Sequence, residues 1–110
     1  MISEDKEHLE YLRFLHDLEF LTLLANPEYL HFLAKQNYFS EPEFLNYLEY
    51  LVGFFKKQNY IKFLKYPVCM DYARLILGSK AFRENLKEQH FVDLILFQAH
   101  CSAQDKYGAP

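Results

Sequence analysis

The chain has 110 residues, of which 51% are apolar by the broad count and 18% are Phe or Tyr, with a net charge of −3. That length fits one domain with one core, and that hydrophobicity excludes a disordered chain. With only 3 Gly and 4 Pro, the turns that a many-stranded sheet requires are missing, and no apolar run approaches the ~20 residues of a membrane span.

The charge is unevenly spread. Residues 1–50 carry ten acids and three bases, net −7, and residues 51–110 carry five acids and nine bases, net +4. Such asymmetry suits docking against another macromolecule. The acidic opening, Met1 to Glu10, does not read as a signal peptide.

Apolar residues recur at helical spacing almost throughout. A first helix is expected from about Glu4 to Ala25. Tyr11, Phe14, Leu18, Leu21 and Ala25 form its stripe, Leu12 and Leu15 widen it, and Glu10, Arg13 and Asp17 lie away from it. Asn26-Pro27-Glu28 reads as N-cap, first helical residue and first-turn acid. The short helix that follows, to about Gln36, should bury Tyr29, Leu30, Phe32 and Leu33.

After a tight joint at Asn37 to Phe39, Ser40-Glu41-Pro42-Glu43 has the form of a capping box, Ser40 serving the backbone N–H of Glu43 and Glu43 reaching back. The third helix, about 41–56, carries Phe44, Leu48, Leu51 and Phe55 as a core stripe, with Tyr47, Tyr50 and Phe54 beside it. Its apolar arc exceeds half the circumference, so it is central in a bundle or covered by something else. A short fourth helix at 60–65 ends at Tyr66-Pro67. Pro67 starts a fifth that stops at Gly78. Ser79 caps a sixth, and a last helix spans about 90–104, followed by a frayed tail. The expected architecture is a compact all-α bundle of about four main helices with shorter connecting helices, one domain over 1–110 with its core within about 8–104 and a tail at 105–110.

Chemistry is hard to find in this sequence. Glu28-x-x-His31 matches half of a di-iron carboxylate pattern, but no second Glu-x-x-His accompanies it; His31 fits the surface of its helix or a cap on a neighbour. Cys69 and Cys101 are far apart, and neither Cys-x-x-Cys nor His-x-x-x-His occurs. Two cysteines make no disulfide framework, which favours a reduced, intracellular setting. None of Ser3, Ser40, Ser79 and Ser102 sits in Gly-x-Ser-x-Gly, and His8 and His16 read as solvated surface. Nothing calls for an enzyme, a metal or a cofactor.

Two surface readings remain. Phe55 to Tyr66 interleaves lysines with aromatics and contains no acid, a composition suited to single-stranded nucleic acid; the acidic total and a pI of about 5.9 argue against it. Nine Tyr and eleven Phe exceed the needs of a small core. Tyrosine is common at protein interfaces, and a tyrosine-lined groove is the usual receiver of a proline-rich segment. Tyr47, Tyr50, Tyr60 and Tyr66 could equally rim the core with hydroxyls in water.

The block Leu24-Ala25-Asn26-Pro27-Glu28-Tyr29-Leu30-His31-Phe32-Leu33-Ala34, then Tyr38-Phe39, Phe44-x-x-Tyr47-Leu48-x-Tyr50-Leu51 and Tyr60-x-x-Phe63-Leu64-x-Tyr66-Pro67-x-Cys69, resembles the Mediator subunit 31 family. The match runs in order from about Asp17 to Cys69 and is weaker over Ala81 to Leu86. At Phe54-Phe55-Lys56-Lys57-Gln58-Asn59 the chain departs from the aromatic-Trp-Lys-x-Pro joint of that family. The resemblance implies a nuclear, non-catalytic subunit of the Mediator middle module, coupled indirectly to RNA polymerase II. It implies a helical bundle that docks on an extended, partly proline-rich N-terminal segment of Mediator subunit 7. Tyr29, Tyr38, Tyr47, Tyr50, Tyr60 and Tyr66 are then the partner-contacting candidates. Phe14, Leu18, Leu21, Leu33, Phe44, Leu48, Leu51 and Phe63 are the expected core.

Overall fold

A computed structural model describes the backbone of residues 2–106 and the side chains of 5–99. Residues 107–110 and the side chains of Ser3, His100, Cys101 and Ser102 lie outside the described residues. Among the described residues there is no strand. Six α-helices follow one another: α1 (Ile2–Leu24), α2 (Pro27–Lys35), α3 (Pro42–Lys57), α4 (Val68–Gly78), α5 (Lys80–Asn85) and α6 (Gln89–Lys106). Short 3-10 turns at Tyr38–Ser40 and Tyr60–Phe63 flank α3. Four long helices joined by shorter ones is the all-α bundle expected from the periodicity.

Local chemistry sets most boundaries. The Asn26 side chain accepts the Glu28 N–H at 3.0 Å, and Pro27 occupies the first helical position of α2. Ser79 accepts the Phe82 N–H at 3.1 Å and starts α5 directly where α4 stops. At the departure from the family pattern, α3 runs on to Lys57, and Asn59 turns the chain in the left-handed region at φ 58°. Asn tolerates that conformation better than most residues.

Two start signals come out differently. Ser40 caps nothing: it belongs to the 3-10 turn, Glu41 takes the N-cap position of α3, and no side chain caps that helix. Asn37, left-handed at φ 63°, winds the following residues into the 3-10 turn, which draws Ser40 out of capping register. The expected fourth helix is also only a 3-10 turn, because the left-handed Asn59 and the stop before Pro67 leave too few residues for α-helical turns.

α4 is the hub. It packs against α1, α3 and α5, and α6 packs instead against α2. Leu21, Leu24, Leu30, Leu48, Leu51, Phe55, Cys69, Ala73, Ile76, Leu86 and Val92 are fully buried. α1 and α3 meet through aromatic rings: Phe14 stacks on Phe55 at 5.9 Å, and Phe20 meets Phe44 at 6.0 Å and Tyr47 at 5.6 Å.

Of the expected core, Leu21, Leu33, Leu48 and Leu51 are buried and Phe14, Leu18 and Phe44 are half-buried against it. Phe63 is not core; it is 53% exposed, because the tight 3-10 turn leaves its ring on the outer side of Phe14 and Tyr60. Phe32 is 51% exposed and stacks on Tyr29 on the outer side of α2. Tyr11 is also exposed, since α1 overhangs the body and every described side chain from Asp5 to Arg13 is solvated.

Asp17 corrects the expected polar side of α1. It is buried at 6% exposure and accepts the Tyr47 hydroxyl at 2.6 Å. A buried carboxylate needs such a partner. His31 lies within 2.6 Å of the Leu86 carbonyl through Nδ1, capping the end of α5 from α2 as one of its two expected placements.

Candidate partner-docking surface

The six candidate tyrosines fall into four neighbourhoods. Tyr38 and Tyr47 are joined through Phe44 and Phe20 on the α1–α3 side. Tyr50 and Tyr60 are joined through Phe54 near the end of α3. Tyr29 is paired with Phe32 on α2. Tyr66 stands at the mouth of a groove. Tyr38, Tyr50 and Tyr66 are exposed, and Tyr29, Tyr47 and Tyr60 are half-buried.

Tyr47 does not rim the core with a hydroxyl in water. Burial, reinforced by the hydrogen bond to Asp17, holds its phenol well above the ordinary tyrosine range. Tyr60 is ringed by Phe14, Phe54, Phe55 and Phe63 at centroid distances of 5.3 to 6.1 Å. It seals the end of the α1–α3 seam.

An open concavity lies between α4 and α6. It has a volume of about 980 Å³ and is floored by the α1–α2 joint at Thr22, Ala25 and Pro27. Val68, Tyr72 and Leu75 wall it on α4, and Phe91, Leu94 and Ile95 wall it on α6. Leu75, Leu94 and Tyr66 are 45%, 56% and 47% exposed, so the groove is apolar and open. Its origin is geometric: α6 is anchored on α2 and α4 on α1 and α3, so a space remains between them.

Of the six tyrosines only Tyr66 lines this groove; Tyr72 lines it too and was not among the candidates. Burial, with Asp71 beside it, raises the Tyr72 phenol. The signal for it is the spacing Val68-Tyr72-Leu75, a second i, i+4, i+7 stripe one step round α4 from the buried Cys69-Ala73-Ile76 stripe. Cys69 belongs to that buried stripe, and burial pushes its thiol up to about 11, so it is held as an inert thiol.

A second surface is charged. Lys56, Lys57, Lys62 and Lys65 are all exposed, and among the described residues none lies within ion-pair distance of a carboxylate. Lys62 Nζ and Lys65 Nζ each stand 5.4 Å from the centroid of the following aromatic ring, Phe63 and Tyr66. No cluster of three or more His, Cys, Asp or Glu able to hold a metal occurs among the described residues, and no helix there is long and apolar enough to cross a membrane.

Comparison with known proteins follows the same residues. The family model Med31 (SOH1) matches residues 11–106. The chain is 40% identical over 87 residues to Mediator of RNA polymerase II transcription subunit 31 of Cryptococcus neoformans, covering 79% of this chain and 47% of that one. It is 42% identical over 74 residues to the protein of that name from Schizosaccharomyces pombe, covering 67% and 52%. With the Danio rerio protein of that name it shares 49% over 74 residues, covering 67% and 53%. The chain thus spans about half the length of these relatives.

Proposed function

The chain belongs to the Med31 (SOH1) family, and from that premise we propose that it is a non-catalytic, nuclear subunit of the Mediator coactivator. It sits in the middle module and acts in RNA polymerase II transcription by scaffolding. Its partner is an extended, proline-rich N-terminal segment of Mediator subunit 7, and other middle-module subunits assemble around the pair. The coupling to polymerase is indirect.

The observation that carries this function is the open α4–α6 groove, with Tyr66 at its mouth and Tyr72 in its wall. A proline-rich helix is ordered before it binds and offers carbonyls to hydroxyl donors along an aromatic wall. Tyr66 is therefore the first contact among the sequence candidates, Tyr38 and Tyr50 are exposed enough to extend the footprint, and Tyr29, Tyr47 and Tyr60 contribute through their exposed edges. Covering Leu75 and Leu94 removes apolar surface from water, at roughly 25 cal/mol per Å².

Calorimetric titration with the proline-rich N-terminal segment of Mediator subunit 7, at low and high salt, tests the proposal. Tight binding that changes little with salt is expected. Saturating peptide, at about a hundred times its Kd, should stabilise the chain by about 2.7 kcal/mol and raise its melting midpoint. No binding, or an unchanged midpoint, defeats the proposal.

The unpaired lysines favour a second function, an adaptor that contacts single-stranded nucleic acid through residues 55–66, with Phe63 and Tyr66 as stacking platforms. Its mark is affinity for an oligonucleotide that falls steeply as salt rises.

A further inference from the structure

A smaller, polar cavity of about 290 Å³ lies where the turn before α3 faces α5. Asn37, Ser40 and Leu45 contribute from one side, and Lys80, Arg83 and Lys87 from the other. Glu84 is the carboxylate on its wall, so the basic groups outnumber the acid by three to one. Glu84 lies 3.4 Å from Lys87 Nζ, and Arg83 donates to the Ile76 carbonyl. Neither contact involves Lys80. A wall of this sign, in a protein whose total charge is negative, is shaped for an anion.

Ser40 opens into the same cavity as an exposed residue. Its side chain caps nothing, although Ser40-Glu41-Pro42-Glu43 is written as a capping box, and α3 begins with no side-chain cap at all. The same four residues place acids one and three positions after a serine, the charge pattern that a kinase with a basic cleft selects. An idle hydroxyl, an acidic recognition sequence and a basic cavity therefore coincide.

We propose that Ser40 is a phosphorylation site, and that its phosphate is held in this cavity by Lys80, Arg83 and Lys87. The donor is a nucleoside triphosphate bound to an acidic-directed protein kinase. Ser40 Oγ attacks the γ-phosphorus and forms the new P–O bond; the bond to the nucleoside diphosphate breaks; the hydroxyl proton passes to the kinase base. No electrons change hands. The product carries roughly −1.5 to −2 charges at neutral pH and three acceptor oxygens. Those oxygens can bond Lys80 and Arg83 of α5, Lys87 just beyond it, and the free amides at the start of α3. Phosphorylation thus ties the α2–α3 corner to the α4–α5 pair. Glu41, Glu43 and Glu84 oppose it, so the three bases must outweigh them for the tie to hold.

The test treats the full chain with a purified acidic-directed kinase and ATP, locates the phosphate by mass spectrometry, and measures its second ionisation by phosphorus NMR and the melting midpoint. Expected are a single phosphate on Ser40, absent in Ser40→Ala, an ionisation below the ordinary value of about 6, and a midpoint raised by several degrees. Lys80→Ala combined with Lys87→Ala, which breaks only the exposed Lys87–Glu84 pair, should leave the unmodified midpoint almost unchanged. In that variant the phosphate ionisation should return to its ordinary value and the gain in midpoint should vanish. No phosphate on Ser40, an ordinary ionisation, or a midpoint that falls on phosphorylation overturns the proposal.

Discussion

The two sides of α4 are built from the same kind of residue and end differently. Cys69, Ala73 and Ile76 are fully buried against α1 and α3. Val68, Tyr72 and Leu75, one step round the same helix, face a groove. On the first side the neighbours α1 and α3 carry Phe14, Phe20, Phe44, Tyr47 and Phe55, whose rings fill the seam between them. On the second side the neighbour α6 is held on α2 instead, and nothing within the described residues fills the gap. An apolar stripe states only that a face must be covered; which cover it receives is decided by where the neighbouring helix is anchored.

Breaking the filled side should cost most. Phe55 is fully buried and touches Phe14, Phe54 and Tyr60. Phe55→Ala should destabilise the chain by roughly 3–5 kcal/mol, read from urea unfolding, because it combines lost burial with a cavity at the centre of the seam.

Next comes the polar pair that crosses that seam. Tyr47→Phe removes the donor to buried Asp17 and should cost about 1–3 kcal/mol. The pH dependence has a definite sign. The folded chain holds the Tyr47 phenol protonated above its ordinary range, whereas the unfolded tyrosine ionises near 10. Its contribution is therefore intact below about pH 10 and is lost as pH rises toward the folded value. The alkaline fall in stability should be shallower in Tyr47→Phe than in the parent chain, with Tyr72 supplying part of what remains.

The open side should respond least in stability and most in docking. Leu75→Asp and Leu94→Asp alter exposed groove positions, so the isolated chain should change by no more than about 0.5 kcal/mol in either. Each should nonetheless weaken the proline-rich segment at least tenfold by calorimetry. Equal loss of stability and docking would mean that the groove is an extension of the core.

How much of this was legible depended on how local the cause was. The Asn26-Pro27-Glu28 start and the Gly78-Ser79 join are set by neighbouring residues, and both form as written. The box at Ser40 is equally clear in sequence, but the left-handed Asn37 upstream turns it out of register, and no composition signal fixes that angle. The Asp17–Tyr47 bond spans 30 positions and leaves no periodic trace; an acid on a helix reads as solvated until its partner is known. Phe32 and Phe63 were expected inside because aromatics favour burial, yet both are about half exposed, Phe32 on the outer side of α2 and Phe63 on a 3-10 turn. The groove was legible only as that surplus. Tyr72 was available as the second stripe of α4, but two apolar stripes on one short helix look the same until a neighbouring helix claims one.

The contact between His31 and Leu86 fixes more than a distance. A carbonyl oxygen 2.6 Å from Nδ1 can only accept, so Nδ1 carries the hydrogen and the neutral ring is confined to one tautomer, with its lone pair on Nε2. Nδ1 is committed to the strap from α2 to the end of α5, so Nε2 is the one ring nitrogen left to accept a hydrogen bond from another group.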